Sequence, residues 1–206
     1  MYPISYEADY EAEGRNRLTV FFRYLLSIPW LIVAAIYGFV AELATIVAWF
    51  ALVFTGRYPE GLYNFNAGYL RMQNRVNGFS YLLTDEWPSF NGQDDPGYPI
   101  RIGVAAPLDQ YSRMKVLFRL IVGIPVYLLA IVQAVILGVC TLIAWFALVF
   151  TARHPAGLFN PMRSASAYLT RAAAYFLLLT EDWPPFSLEA EPAAPAGAIE
   201  RETSKQ

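Results

Sequence analysis

Apolar positions fall into three patterns along this chain, and each pattern occurs twice. Tyr2, Ile4, Tyr6, Ala8 and Tyr10 alternate with more polar neighbours, and Ile100, Ile102 and Val104 do the same. Period-two spacing with Tyr, Ile and Val predicts a short strand in each stretch. Pro3 and Pro99 at the strand starts suit an edge position, and the two strands are expected to pair as a small cap. A long apolar stretch follows in each half: residues 24–56 carry one charge, Glu42, and residues 120–152 carry none. The third pattern is a stripe at steps of three and four. It runs through Leu62, Phe65, Tyr69, Met72, Val76, Phe79 and Leu83, and again through Leu158, Ala165, Tyr168, Ala172, Tyr175 and Leu179. That spacing predicts amphipathic helices over 61–85 and 157–181. Asn64, Asn66, Arg71, Asn74 and Arg75 lie off the first stripe, and Arg163 and Arg171 off the second.

The recurrence is an internal duplication. An offset of 96 residues lays Ala48-Trp49-Phe50-Ala51-Leu52-Val53-Phe54-Thr55 on residues 144–151 and Trp87-Pro88 on Trp183-Pro184. Roughly a third of positions 2–90 are identical in the second copy, so the repeat frames the fold. The expected organisation is module 1 over 1–90, a turn-rich linker over 91–97, and module 2 over 98–186. A tail rich in Ala, Pro, Glu and Gly, expected to be disordered, follows over 187–206.

Charge placement decides how the apolar stretches are read. A membrane span takes about 20 residues, so each stretch is too long for one span, and two short spans fit. If each copy crossed once, Arg57, Arg71, Arg75, Arg101, Arg113, Lys115 and Arg119 would lie opposite the basic residues near both termini. A helical hairpin in each copy instead gathers all 15 Lys and Arg on one side, as the positive-inside rule favours. The prediction is an all-α membrane protein with four membrane helices, roughly 18–39, 42–57, 115–135 and 138–153. The hairpins span 18–57 and 115–153, turning near Gly38–Glu42 and Ala134–Gly138, with both termini cytoplasmic. Because an even number of crossings precedes the linker, the copies are expected to be parallel repeats about an axis along the membrane normal. Helices this short either thin the bilayer or form re-entrant wedges. Pro29 and Pro125 are expected to kink or restart the first helix of each hairpin.

Composition agrees with a membrane setting: 56% of residues are hydrophobic and 16% charged. A net charge of −2 with no basic block gives no support to nucleic-acid binding. Residues 2–17 carry Glu7, Asp9, Glu11 and Glu13, the reverse of a signal peptide's basic opening, so the first apolar segment is expected to direct insertion. Cys140 lies in an apolar run and reads as a packing residue. His154 takes the place of Tyr58 and reads as incidental to the module. There is no phosphate-binding loop, nucleophile elbow or Cys/His cluster, and neither catalytic residues nor a cofactor or metal is expected. The acid pairs Asp85-Glu86 and Glu181-Asp182 read as solvating helix ends.

The polar residues common to both copies are Arg17/Arg113, Arg23/Arg119, Thr45/Thr141, Thr55/Thr151, Arg57/Arg153, Asn64/Asn160 and Arg75/Arg171. Their simplest role is architectural: arginines at helix ends, threonines bonding carbonyls within a helix, asparagine capping the amphipathic helix. The sharper role is recognition of anionic lipid headgroups by these eight arginines, with Trp87 and Trp183 at headgroup level.

The Tyr-Pro-Ile entry, Tyr111-Ser112-Arg113, the Arg…Ile-Pro at 23–29 and 119–125, the Ala-Trp-Phe-Ala-Leu-Val-Phe-Thr segment and Arg57-Tyr58-Pro59-Glu60-Gly61-Leu62-Tyr63-Asn64 together resemble the bacterial membrane proteins grouped as domain of unknown function 4389. Where members of that family tend to have His after the Ile-Pro, this chain has Trp30 and Val126. The resemblance implies a multi-pass protein of the bacterial cytoplasmic membrane and supplies no reaction. The expected function is a non-enzymatic scaffold, accessory subunit or lipid-associated module. Its expected partners are membrane lipids, other membrane subunits or a second copy of itself. A small transporter or channel is the alternative, and an enzyme using Asp85, Glu86 and Arg75 ranks third.

Overall fold

The computed structural model describes residues 2–185, so the tail expected over 187–206 lies outside the described residues. Each copy contributes one strand, a short entry helix, one long helix and one medium helix, and the second copy has a further one-turn helix before its long one. In the first copy these are β1 (Ile4–Ala8), α1 (Arg17–Phe21), α2 (Arg23–Thr55) and α3 (Glu60–Ser80). In the second they are β2 (Ile100–Val104), α4 (Arg113–Leu117), α5 (Arg119–Val122), α6 (Ile124–Thr151) and α7 (Ala156–Phe176).

The expected hairpins over 18–57 and 115–153 are not present. Gly38–Glu42 lies inside the 33-residue helix α2, and Ala134–Gly138 inside the 28-residue helix α6. Neither segment has turn chemistry, and a buried stripe gives each helix a continuous partner face, made of small residues in α2 and of Val126, Gln133, Leu137, Thr141, Ala144 and Leu148 in α6. In α2 that face is Ser27, Ala34, Gly38, Ala41, Ala44 and Ala48, all buried. Gly38 is required there, since a Cβ would stand 2.8 Å from the Tyr69 hydroxyl. Reciprocally, Gly68 admits the hydroxyl of Tyr37, 2.8 Å from where a Cβ would sit. The chain reverses after Gly56 instead, and α3 runs back along α2, with α7 doing the same along α6. Pro29 is accommodated inside α2, whereas the helix in the second copy breaks at Gly123 and restarts with Pro125 in its first turn.

Helix ends follow local rules. Gly56 closes α2 in the left-handed region (φ 73°), and Ala152 does so for α6 (φ 56°) despite its Cβ. Leu82 and Leu178 take the same conformation after α3 and α7. In the first copy the amides of Leu82 and Leu83 bond the carbonyls of Phe79 and Gly78, a Schellman closure. The medium helices end at Ser80 and Phe176, short of the expected 85 and 181. Their N-caps are Pro59 and Pro155, and Asn64 and Asn160 are exposed, so the asparagines do not cap. The paired threonines bond within their helices as expected, Thr45 to the Ala41 carbonyl (2.8 Å) and Thr141 to that of Leu137 (2.7 Å).

The two strands pair antiparallel, with Tyr6 opposite Ile102, its own equivalent at the 96-residue offset. A pseudo-twofold axis therefore passes through the middle of the sheet. The same axis passes between Asn74 of α3 and Thr170 of α7, again equivalent positions, which are hydrogen-bonded. Contacts are exchanged symmetrically about it: Trp145 Nε1 donates to the Val20 carbonyl and Trp49 Nε1 to the Val116 carbonyl, both at 3.1 Å. The start of each long helix thus lies beside the end of the other, so α2 and α6 run antiparallel and the axis crosses them near their midpoints. Repeats parallel about an axis along spanning helices are thereby replaced by repeats about an axis perpendicular to the helices. The exchange arises because α1 and α4 dock on the other copy's long helix.

Three layers stack along this axis. The sheet packs on α3 and α7, and α3 and α7 pack on α2 and α6. On α3, Met72 and Val76 face Ala34 of α2. Gly78 meets Ile100 of β2 and lies roughly 200° round the helix from Val76. Part of the predicted polar face of α3 is consequently buried: Asn74 meets Thr170 of α7, Arg75 meets the linker, and Asn66 donates to Thr45 of α2 and to Tyr58, while Asn64 stays exposed and Arg71 is half-buried.

Candidate functional site

The largest unassigned surface belongs to the long helices. Leu25, Ile28, Ile32, Ile36, Phe39, Leu43, Ile46, Phe50 and Phe54 form one exposed line along α2, each at least 45% accessible. Their equivalents Ile121, Ile124, Leu128, Val132, Val135, Val139, Leu142, Phe146 and Phe150 form a matching line along α5 and α6, each at least 50% accessible. Both helices are long and apolar enough to cross a membrane by length and composition. Leaving a Leu, Ile or Phe in water rather than burying it forgoes roughly 1.5–3 kcal/mol, and soluble monomers rarely expose contiguous apolar patches beyond a few hundred Å². The long helices together leave two long apolar lines exposed on the molecule.

The structure divides the expected headgroup residues into two sets. Arg17, Arg57, Arg113 and Arg153 are exposed, and all four sit at the ends of the apolar face. Lys115 joins them on α4. Arg153 pairs with Glu13 at 3.1 Å, and Lys115 lies 3.8 Å from Glu181. Arg23, Arg75, Arg119 and Arg171 are instead buried, and their surroundings show why.

Arg23 pairs with Asp85 and lies 4.0 Å above the Phe79 ring, clamping the start of α2 to the end of α3. Arg15, absent from the sequence-based set, completes this cluster, 3.2 Å from Asp85 and donating to the Leu83 carbonyl at 2.8 Å. Arg119 clamps the second copy in the same place, over the Tyr175 ring at 3.8 Å and bonded to the carbonyls of Tyr175 and Thr180. Burial lowers the pKa of Arg119 from its ordinary value, while the Tyr175 contact works the other way. Arg75 organises the linker through Ser89, Asn91 and Gln93. Arg171 lies 5.6 Å from the Tyr2 ring.

The first acid of each predicted pair also has a structural partner. Asp85 accepts from the Asn16 amide at 3.1 Å and Glu181 from the Ser112 amide, at equivalent positions before α1 and α4. Glu86 and Asp182 are exposed. Trp87 and Trp183 are 48% and 41% exposed. Trp87 packs with Trp30, which stacks on Phe90 at 5.4 Å.

Two cavities lie near the axis. One of about 100 Å³ is lined by Tyr6, Leu137 and polar residues of α3 and α7, including Gln73, Asn74, Asn77, Ser166 and Thr170. An open cleft of about 320 Å³ is lined by Gly38, Phe39, Glu42, Tyr69 and Gln73. Glu42, expected in a turn, is thus an exposed mid-helix residue at the cleft. His154 is buried, with Nε2 making no hydrogen bond, and its pKa is lowered by burial and by Arg15 nearby. Among the described residues, no three His, Cys, Asp or Glu side chains gather as metal ligands.

The small-residue stripe of α2 was the available signal for this arrangement: small residues at helical spacing mark a helix-packing face, and it runs unbroken through the expected turn. The exchange of α1 and α4 between copies left no comparable local signal.

No curated protein and no solved structure matches the chain. A family model matches twice, over residues 17–91 and 113–187, which together make up more than half of the 206 residues. Both matches begin after the strands, so each covers the entry helix, the long helix and the medium helix of one copy. The chain belongs to the family described as Domain of unknown function (DUF4389), and carries two tandem copies of that domain.

Proposed function

We propose that this protein is a non-catalytic, lipid-associated module of the bacterial cytoplasmic membrane, serving as a scaffold or accessory subunit with both termini on the cytoplasmic side. The observation that carries this reading is the pair of matching exposed apolar lines on α2 and α5–α6, ended by exposed arginines. The fate of the duplicated polar residues supports it. Arg23, Arg119 and Arg75 are engaged in clamps within the fold, and Thr45 and Thr141 in helix-internal bonds, rather than converging on a pocket.

The test is purification of the full chain in mild detergent or nanodiscs with mass spectrometry of bound lipid, beside fractionation of cells after an alkaline wash. The expected result is retention in the membrane pellet and enrichment of anionic lipid over the bulk membrane. Release into the soluble fraction without bound lipid overturns the reading.

A further inference from the structure

Resting on that reading, we infer that the long helices lie in the plane of the membrane. α2 and α6 are seated side by side in one leaflet, the pseudo-twofold axis runs along the membrane normal, and the basic ends of the apolar face lie on anionic headgroups.

Three observations argue against crossing. The first is length. Thirty-three residues of α2 extend about 50 Å, against a hydrocarbon core of about 30 Å. Fitting that apolar length across the core needs a tilt of about 50°, outside the usual range of roughly 0–40°.

The second is the sheet. The axis that relates the copies crosses the long helices near their midpoints, and the sheet lies on it. Were α2 and α6 to cross the bilayer, the axis would lie at its midplane and the sheet would sit at that depth. The sheet carries Arg101, bonded to Glu7 at 2.9 Å and to both oxygens of Asp9 at 2.7 Å, with the Asp9 side chain 53% exposed. Polar and charged groups of this kind are rare at bilayer depth.

The third is charge distribution. Antiparallel crossing would put Arg17 and Arg153 on one side, and Arg57, Arg113 and Lys115 on the other, with no positive-inside bias.

The in-plane seat meets all three. The exposed arc of α2 points away from α3, and α3 lies between it and the sheet, so the charged sheet faces water. Among the described residues the five exposed basic ones, Arg17, Arg57, Arg113, Lys115 and Arg153, lie at the two ends of the apolar face, where headgroups meet it. Glu42 sits roughly 80° round α2 from the centre of the exposed line, beside Gln73 and Tyr69, and so is level with the helix axis rather than at its deepest point.

The experiment places single cysteines at Leu25, Phe39 and Phe54 of the full-length chain with Cys140→Ala. Each variant is labelled with a fluorophore, reconstituted in phosphatidylcholine vesicles with and without phosphatidylglycerol, and read by quenching from lipids spin-labelled at known depths. The in-plane seat gives equal depths at the three sites. It also gives binding that strengthens with phosphatidylglycerol and weakens about fivefold for each of Arg57→Glu and Arg153→Glu. A profile deep at Phe39 and shallow at Leu25 and Phe54 overturns the in-plane seat while leaving membrane association standing. Equal depths with no response to phosphatidylglycerol overturn the anionic preference. Absence of quenching at all three sites overturns the proposed function itself.

Discussion

The hydroxyl of Thr170 donates to Oδ1 of Asn74, and these two residues occupy the same position in the two copies. Both are buried, and the Ser166 carbonyl, 2.7 Å from the same hydroxyl, shares its single proton with Asn74. The contact ties α3 to α7 on the pseudo-twofold axis. Thr170→Val leaves the Asn74 oxygen without this donor and is expected to cost about 1–3 kcal/mol. Asn74→Leu is expected to fall in the same range. Chemical denaturation should show the double variant less destabilised than the sum of the singles, because the orphaned partner is then gone. Strict additivity would show that the two side chains are not coupled.

Gly56 and Ala152 close α2 and α6 with the same left-handed backbone, and only one of them is glycine. An L-residue with a Cβ is penalised there by roughly 1–2 kcal/mol. Ala152→Gly is therefore expected to stabilise the protein by about 1 kcal/mol, and Gly56→Ala to destabilise it by a similar amount. Thermal unfolding of the two variants in one detergent checks the opposite signs.

The division of the arginines separates stability from lipid binding. Arg23→Met removes one partner of Asp85 and leaves it Arg15 and the Asn16 amide, at an expected cost of about 1–3 kcal/mol. Arg119→Met strands carbonyl acceptors and loses the contact with Tyr175, so it too is expected to lower stability. Arg17→Glu and Arg113→Glu should stay within about 0.5 kcal/mol of the parent while weakening association with anionic vesicles. Measuring melting and vesicle binding on the same four variants tests the division.

His154 gives a pH dependence of definite sign. Burial lowers its pKa in the folded protein, with the Arg15 charge adding to the effect and Asp85 opposing it. The unfolded chain therefore binds the proton more readily. Stability from the neutral imidazole is present above the ordinary value of about 6.5 and is lost as pH falls below it. His154→Tyr installs the residue of the first copy, Tyr58, whose hydroxyl bonds the Leu177 carbonyl at 3.1 Å. The variant's melting temperature is expected to vary less than the parent's between pH 7 and about 5.5. Parallel pH profiles would show that His154 does not titrate in this window.

Much of the fold was legible because it is local and stated twice. Alternation at Ile4–Ala8 and Ile100–Val104 gave the strands, and three-four spacing gave α3 and α7. The Gly38–Glu42 turn is absent: the expectation came from apolar length and from the positive-inside bias, and both presume that the helix crosses. The pattern itself contained the alternative: Ser27, Ala34, Gly38, Ala41, Ala44 and Ala48 keep one helical face through the expected turn. The burial of Arg23, Arg75, Arg119 and Arg171 depends on tertiary neighbours such as Asp85 and the linker carbonyls, which spacing along the chain does not reveal. The exposed Arg17, Arg57, Arg113 and Arg153 were readable as the charges that flank the long apolar stretches.

The central claim is the orientation of α2 and α6, and polarised infrared absorption of the full chain in oriented bilayers measures it directly. Because α3 and α7 run along the long helices, the helices contribute to one common dichroism. The in-plane seat predicts an amide I signal of helices lying close to perpendicular to the membrane normal. Helix axes within about 50° of the normal, the limit at which α2 fits across the core, would contradict it.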